Sequence, residues 1–423
     1  MAKILHVADL HLDSPFVGLD KQISHLQKPL IEAPYQAFSR CVSIAINQKV
    51  DVLIIVGDIY DSSKQTIYAQ HFFAKQLERL DKVHIPVVLV NGNHDYIQNN
   101  QPILYPFDNV HQITTEEVTH VDITLKNQET IRFYGFSYNR RWIPERKIEQ
   151  FPINPSETDY TVGMLHGDMA SQSSKVGNYA PFTIQELSSK NYNYWALGHI
   201  HQSMTLSQNP LIQYSGTIQG RNRLETGDKG AFLIDLEKNQ PAKSEFISLA
   251  KIVYENVTID CQYQWQALDL VEKINEAVSN YRLETVPNQQ SYLLNIILDN
   301  AQRLPIELQE QVESGELLTT VSDVTDDNLF VVVISIVLNK QMSLDAFQYD
   351  PKLNDSYKKA VQELETNQLY EDIMKDVFNH SVMRSRLTDL VEDADLKANI
   401  IKEAQELLIQ SIGFDVEGVD HED

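Results

Sequence analysis

Five short polar clusters carry groups that can hold metal ions. They are Ala8-Asp9-Leu10-His11-Leu12, Val56-Gly57-Asp58-Ile59-Tyr60-Asp61, Asn91-Gly92-Asn93-His94-Asp95, Leu165-His166-Gly167 and Leu197-Gly198-His199-Ile200-His201. Asp9 and His11 are two apart, so in extended chain they face the same way and can grip one ion together. His199 and His201 repeat that spacing. Asp58 offers a carboxylate able to bridge two ions, Asn93 an amide oxygen and His166 an imidazole. The donors are nitrogen and oxygen with no thiolate, which suits manganese, iron or zinc without choosing among them. Two ions about 3.5–4 Å apart clamp a phosphate and acidify a bridging water, so the chemistry is phosphoester hydrolysis. His94, next to Asn93, is placed to protonate the leaving oxygen as general acid. Asp95 either fixes the tautomer of His94 or supports the ligands from behind. Asp61 supports a ligand, faces substrate or caps the helical pattern from Gln65. Asp13 and Asp168 read as turn or supporting residues.

Any one cluster alone occurs by chance, and a glycine-aspartate pair after a strand is often only a turn. The order of the five, their glycines and their places at strand ends would all have to coincide. The remaining histidines, His6, His25, His71, His84, His111, His120, His380 and His421, are read as surface or packed residues, with His6 inside the first strand.

The elements that must position these groups are short apolar runs. Ile4 to Val7, Val52 to Val56, Val87 to Val90 and Val162 to Leu165 are continuous rather than alternating, as in strands buried on both faces. Helical patterns at roughly Tyr35 to Gln48 and Gln65 to Leu80 separate the first three. Strand-helix-strand alternation predicts a layered α/β core, with ligands in the loops after the strands' carboxyl ends. Phe232 to Leu236 reads as a late core strand and Phe246 to Ile259 as a strand leading out. From there to about Asn339 the pattern is strand, helix, strand, helix, strand, a small α+β unit. Its first helix carries an apolar stripe of Trp265, Leu268, Val271, Ile274 and Val278, and Tyr292 to Leu298 and Leu329 to Leu338 are strand-like. Beyond Met342 the chain turns helical and charged, with stripes from Ile373, Leu387 and Leu396 near helical spacing.

The order of the motifs resembles the calcineurin-like metallophosphoesterase superfamily over roughly residues 1–250. The resemblance implies a metallophosphoesterase core of β-sheets flanked by helices. It implies one ion held by Asp9, His11, Asp58 and His201, a second by Asp58, Asn93, His166 and His199, and His94 as the acid. Asp61 is followed by Ser62 and His94 by Asp95, where phosphoprotein phosphatases of the superfamily usually carry Arg and Glu. The opening Ile-Leu-His-Val-Ala-Asp-Leu-His-Leu and the stretch Tyr214 to Arg221 look instead like the DNA-repair exonuclease branch of SbcD-like nucleases. Length and the extra region after residue 250 look like its YhaO-type bacterial members. That likeness implies DNA as substrate, two divalent ions (Mn2+, with Fe or Zn as alternatives) and an SMC-like coiled-coil ATPase as partner. Homodimerisation is a further expectation. Some nucleases of the branch carry His where this chain has Asp61.

The formal net charge is −24. Residues 1–250 hold 22 Lys and Arg against 26 Asp and Glu, a net of −4, whereas the remainder holds 13 against 33, a net of −20. A free-standing tight DNA binder normally shows a basic footprint, so a partner is expected to supply most DNA affinity. Two small basic groups, Arg140, Arg141, Arg146 and Lys147, and Arg221 and Arg223, are either phosphate contacts or solvated surface. Cys41 and Cys261 have no ligand neighbours and read as reduced thiols. No leader and no bilayer-spanning apolar run is seen, which predicts a cytoplasmic protein.

The expected organisation is a catalytic domain at 1–250, an α+β cap at 251–341 and an acidic helical region at 342–423. That last region either folds on the cap or docks in a partner's groove. The expected activity is that of a metal-dependent DNA exonuclease or end-processing phosphodiesterase. The alternatives are a phosphomonoesterase or cyclic-nucleotide phosphodiesterase, and an adaptor within an ATPase complex.

Overall fold

The computed structural model describes residues 1–14, 26–62, 64–98, 105–170, 179–263, 265–321, 324–326, 329–340 and 351–365. The apolar runs become strands close to their expected bounds. Strands β1 (Ala2–Val7), β2 (Val52–Val56), β3 (Val87–Val90) and β4 (Val110–Gln112) are joined by helices α1 (Gln27–Gln48) and α2 (Ile67–Asp81). Next come β5 (Thr119–Thr124), β6 (Thr130–Gly135), β7 (Tyr160–His166), α3 (Ile184–Ser189), β8 (Tyr194–Gly198), β9 (Met204–Gln208), β10 (Leu211–Tyr214), β11 (Gly230–Leu236) and β12 (Lys243–Ser248).

Two six-stranded sheets result, ordered β12-β11-β1-β2-β3-β4 and β5-β6-β7-β8-β10-β9. β1 to β4 are mutually parallel, as are β6, β7, β8 and β10. The sheets pack face to face. Ile4, Ile54, Val56 and Val88 of the first bury against Phe133, Val162, Met164 and Ala196 of the second. Residues one step along each strand point the other way. Leu5, Leu53, Ile55 and Leu89 pack on Phe38 and Val42 of α1 and Phe73 and Leu77 of α2. On the far side, Leu165, Trp195, Leu197 and Ile212 pack on Leu187 of α3 and on Phe151. The protein is thus α/β, two sheets between flanking helices, and both faces of the central strands are dry.

The third sheet, β13-β14-β16-β15, is built from β13 (Ile252–Asp260), β14 (Ser291–Asp299), β15 (Val324–Asp326) and β16 (Leu329–Asn339), with helices α4 (Ala267–Asn288), α5 (Ile306–Glu313) and α6 (Glu316–Thr320). The expected order holds through β14, but two short helices and an antiparallel pair, β15 and β16, follow where one helix and one strand are expected. Two further corrections apply. Phe246 to Ile259 is not one strand: it breaks between Ser248 and Ile252, because β12 pairs with β11 while β13 pairs with β14. The buried stripe of α4 is Leu270, Ile274, Val278 and Thr285. Leu268 is 83% exposed, since the helix begins at Ala267 and that side turns to solvent.

Helix α1 starts at Gln27, not Tyr35, and runs through Pro34. Its extra turns carry Leu30 and Ala33, which bury with Leu26 against Ile252, Tyr254, Leu293, Phe330 and Val332 of the third sheet. Met1–Asp299 with Arg303–Leu338 form one compact unit. Asn300–Gln302 with Asn339–Asp423 group as a second unit, in which helix α7 spans Pro351–Glu365. The stripes expected from Ile373 onward, and His25, His380 and His421, lie outside the described residues. Among the described residues no helix is long and apolar enough to cross a membrane.

Candidate metal centre

Because the strands that matter are parallel within each sheet, their carboxyl ends gather at one edge. Asp9 follows β1, Asp58 follows β2, Asn93 and His94 follow β3, His166 ends β7 and His199 follows β8. The loops after β1 and β2 run side by side: Asp9, His11 and Leu12 donate backbone N–H bonds to the carbonyls of Gly57, Asp58 and Ile59 at 3.0–3.1 Å. This pairing holds Asp9, His11 and Asp58 at φ +52°, +43° and +49°. Non-glycine residues avoid that left-handed region unless their surroundings enforce it.

All seven expected ligands converge, and most are sealed from solvent. Asp9, His11, Asp58, Asn93 and His166 are buried, while His199 and His201 are partly exposed. His11 and His201 turn their Nε2 atoms to each other at 3.1 Å. His166 Nε2 lies 2.9 Å and His199 Nδ1 3.0 Å from Asn93 Oδ1. His166 Nε2 is also 3.4 Å from Asp58 Oδ2, and Asp9 accepts from the backbone N–H of His199. Two glycines make room: a Cβ on Gly57 would sit 2.2 Å from His166 Nδ1, and one on Gly92 2.2 Å from Asp58 Oδ1.

The proton positions say what fits there. His166 Nδ1 donates to the Val56 carbonyl at 3.0 Å, and His199 Nε2 faces Asp168 Oδ1 at 3.1 Å. With those protons outward, His166 Nε2, His199 Nδ1, Asn93 Oδ1 and Asp58 Oδ2 are four lone-pair donors pointing at one another. Such a knot of acceptors is costly when buried and is relieved by a cation. The donors suit a divalent ion of the manganese, iron or zinc kind. Among the described residues, three sets bring candidate ligand atoms within 4.8 Å of one another: Asp9, His11 and His201; Asp9, Asp58 and His166; and His11, Asp61 and His94.

Electrostatics agree with a site built for positive charge. Burial opposes ionisation of Asp58, yet His166, His11 and His94 outweigh it and hold its carboxyl well below the ordinary range. Burial likewise works against protonating His166, but Asp58 and Asp9 raise it to about 9, so a bound cation competes with a proton there. His11, where burial dominates, is lowered.

The supporting residues differ in part from expectation. Asp95 is not the partner of His94. Its carboxylate accepts from the backbone N–H groups of Gly92 and Ile59 at 2.7 and 2.9 Å, tying the β2 and β3 loops. Burial and the Asp58 charge push it up to about 7. The Asp61 carbonyl instead faces His94 Nδ1 at 2.8 Å. Nor is Asp61 the helix cap. Thr66 caps α2, accepting from Ala69 N–H, and Asp13 holds that turn through the Thr66 N–H at 2.7 Å. The Asp61 carboxylate lies 3.1 Å from His11 Nδ1 and accepts from Arg221. Glu225 and Thr217 escape the sequence reading. Glu225 accepts from His201 Nδ1 at 2.8 Å, and Thr217 Oγ1 donates to the Asp9 carbonyl at 2.7 Å. Thr217 lies in the stretch Tyr214 to Arg221 and Glu225 four residues beyond it, but no local spacing points to either contact, so only the fold reveals them. His6 is packed as expected, buried with Nδ1 2.7 Å from the Tyr194 hydroxyl.

The first basic group is mostly neutralised: Arg140 and Lys147 pair with Glu116, and Arg146 with Glu186. Arg141 instead lies 5.2 Å over the ring of Trp142, which is half exposed.

Two facing sheets with a dense nitrogen and oxygen donor cluster at their shared edge define a metal-dependent phosphoester hydrolase. The chain matches the calcineurin-like phosphoesterase family over residues 2–203 and belongs to it. Members of that family use a dinuclear divalent metal centre. The chain is 32% identical over 289 residues to the uncharacterized metallophosphoesterase YhaO of Bacillus subtilis, covering 67% of this chain and 69% of that one. It is 24% identical over 408 residues to the DNA double-strand break repair protein Mre11 of Sulfolobus acidocaldarius, covering 93% and 96%. It is 23% identical over 385 residues to an SbcCD nuclease subunit of Staphylococcus epidermidis, covering 80% and 100%.

Proposed function

We propose that this hydrolase is a manganese-dependent DNA exonuclease or end-processing phosphodiesterase acting in DNA repair. Asp9, His11, Asp58 and His201 would hold one ion, and Asp58, Asn93, His166 and His199 the other. When bound, the ions neutralise the phosphate and activate water. His94 serves as general acid. Its Nδ1 proton is committed to the Asp61 carbonyl, so in the imidazolium only the Nε2 proton remains to be given. Its backbone N–H donates to Asp58 Oδ1 at 2.9 Å, which couples the acid's loop to the bridging carboxylate. Asp168 and Val56 set the tautomers of His199 and His166, and the buried wall behind them excludes water.

The observation that carries this reading is the convergence of seven donors from five strand ends in a chain related to Mre11 and to an SbcCD nuclease subunit. Residues 1–250 are taken as the catalytic part and 251–341 as a cap beside it. The acidic residues 342–423 would dock an SMC-like coiled-coil ATPase that supplies most DNA affinity, and the protein works in the cytoplasm, with homodimerisation compatible. Arg141 on Trp142 offers a charged, stackable surface of the kind unpaired bases use.

The test is an activity panel with Mn2+: labelled duplex, labelled single strand and bis-p-nitrophenyl phosphate. Shortening of DNA from its ends supports the reading. Hydrolysis of the small diester with no cut in either DNA, with and without the ATPase, refutes a nuclease. Binding of DNA by the isolated chain should be weak and fall steeply with salt, and tight salt-resistant binding contradicts the division of labour.

A further inference from the structure

We infer that Arg221 is a positioning residue: it clamps two carboxylates and thereby sets the His11 and His201 half of the metal centre, without contacting substrate. The inference rests on reading the cluster as metal-binding.

His11 and His201 present Nε2 to each other and turn Nδ1 outward, each toward a carboxylate. His201 Nδ1 is 2.8 Å from Glu225 Oε1, and His11 Nδ1 is 3.1 Å from Asp61 Oδ1. The carboxylate bonded at His201 Nδ1 keeps the proton there and leaves the Nε2 lone pair facing inward. At His11 the Asp61 carboxylate acts by its charge, since His11 Nδ1 makes no aligned hydrogen bond among the described residues. Asp61 and Glu225 are far apart in sequence yet share one cation. Arg221 donates from Nη1 to Asp61 Oδ1 at 2.7 Å and from Nη2 to Glu225 Oε1 at 3.2 Å, and its backbone N–H donates to Glu225 Oε2 at 2.8 Å. Its Nη2 also lies 3.1 Å from His201 Nδ1. With that nitrogen protonated toward Glu225, the approach is packing and not a hydrogen bond.

The fork is committed to protein. The side chain is 16% exposed, and among the described residues its buried Nε faces no acceptor and no solvent from which a phosphate would come. Without the guanidinium the two carboxylates lose their shared counter-charge, and both imidazoles lose their backing. Asp61 also carries the carbonyl that faces His94 Nδ1, so one arginine braces three imidazoles. Lysine, a point charge on a flexible stem, does not reproduce a fork that joins two carboxylates.

The experiment titrates Mn2+ into metal-stripped full-length protein by calorimetry, for wild type, Arg221→Met and Arg221→Lys, with circular dichroism confirming fold. Wild type should bind two ions. Arg221→Met should keep one and bind the other roughly 10–100-fold more weakly, and Arg221→Lys should not restore it. With bis-p-nitrophenyl phosphate, the lost rate should return with excess metal while KM stays unchanged. Unchanged metal binding with a raised KM would mean that Arg221 holds substrate, and the inference fails. Two ions bound by wild type and by Arg221→Met with equal affinity overturn this inference alone. No ion bound by wild type overturns it together with the metal reading. Should Arg221→Met not fold, Glu225→Gln reads the same half of the site: a weakened ion supports the clamp and an unaffected one refutes it.

Discussion

At the scale of single residues, the proposed roles separate groups that would hold metal from the one that would move a proton. His94 is tied through its Nδ1 to a carbonyl and through its backbone to Asp58, but it lies outside both proposed ligand sets. His94→Ala should therefore retain both ions by elemental analysis while the rate falls roughly 10²–10⁴-fold, the range for a lost general acid. Loss of metal along with rate would make it a ligand, as its closeness to His11 and Asp61 allows. His6 gives a pH prediction. Burial lowers its pKa from 6.5 to about 3, so below about 6.5 the unfolded chain takes up a proton that the folded one refuses. Stability from this residue is whole above pH 6.5 and drains away as pH falls toward 3, by up to about 1.4 kcal/mol per pH unit. The advantage of wild type over His6→Gln in urea melts should shrink between pH 7 and pH 5, and a constant gap would contradict it. The donor types and their order are legible in sequence because such side chains are few and their spacing is local. The contacts of Asp95, Glu225 and Thr217 are not, because what each touches depends on loops that meet only after folding.

At the scale of elements, the strands are readable because burial on both faces demands unbroken runs of Val, Ile and Leu. β2 and β3 fall at their expected bounds. Helix α1 is longer than its pattern suggests. Pro34 looks like its edge, yet the turn before it is stabilised by burial of Leu30 and Ala33 against a sheet that begins at Ile252. The two central sheets meet where β2 and β8 end, and that contact is tight: a Cβ on Gly198 would sit 2.0 Å from the Val56 carbonyl and 2.9 Å from His166 Nδ1. A backbone oxygen cannot rotate away as a side chain can. Gly198→Ala should cost about 1–3 kcal/mol of stability, the usual range for overpacking, and should lower metal affinity because His166 is displaced. Unaltered urea midpoint and metal binding would show that the sheets shift freely there.

At the scale of the molecule, charge and packing divide the chain differently. Charge changes at about residue 250, from nearly neutral to strongly acidic. Packing does not, since Met1–Asp299 and Arg303–Leu338 form one compact unit. A chain cut after Ala250 would uncover Leu26 and Leu30, at roughly 1.5–3 kcal/mol for each large side chain returned to water. It should melt lower than the full chain and bind more of an apolar dye. Equal melting and equal dye binding would show that the third sheet adds nothing to the core.

The sequence alone determined the donor types, their order and the buried strands, because each is written in neighbours a few residues apart. Tertiary structure alone decided which carboxylate backs which imidazole, where α1 begins and what Arg221 braces. Those outcomes depend on groups distant along the chain, whose meeting is set by sheet order and by the packing of one layer on the next.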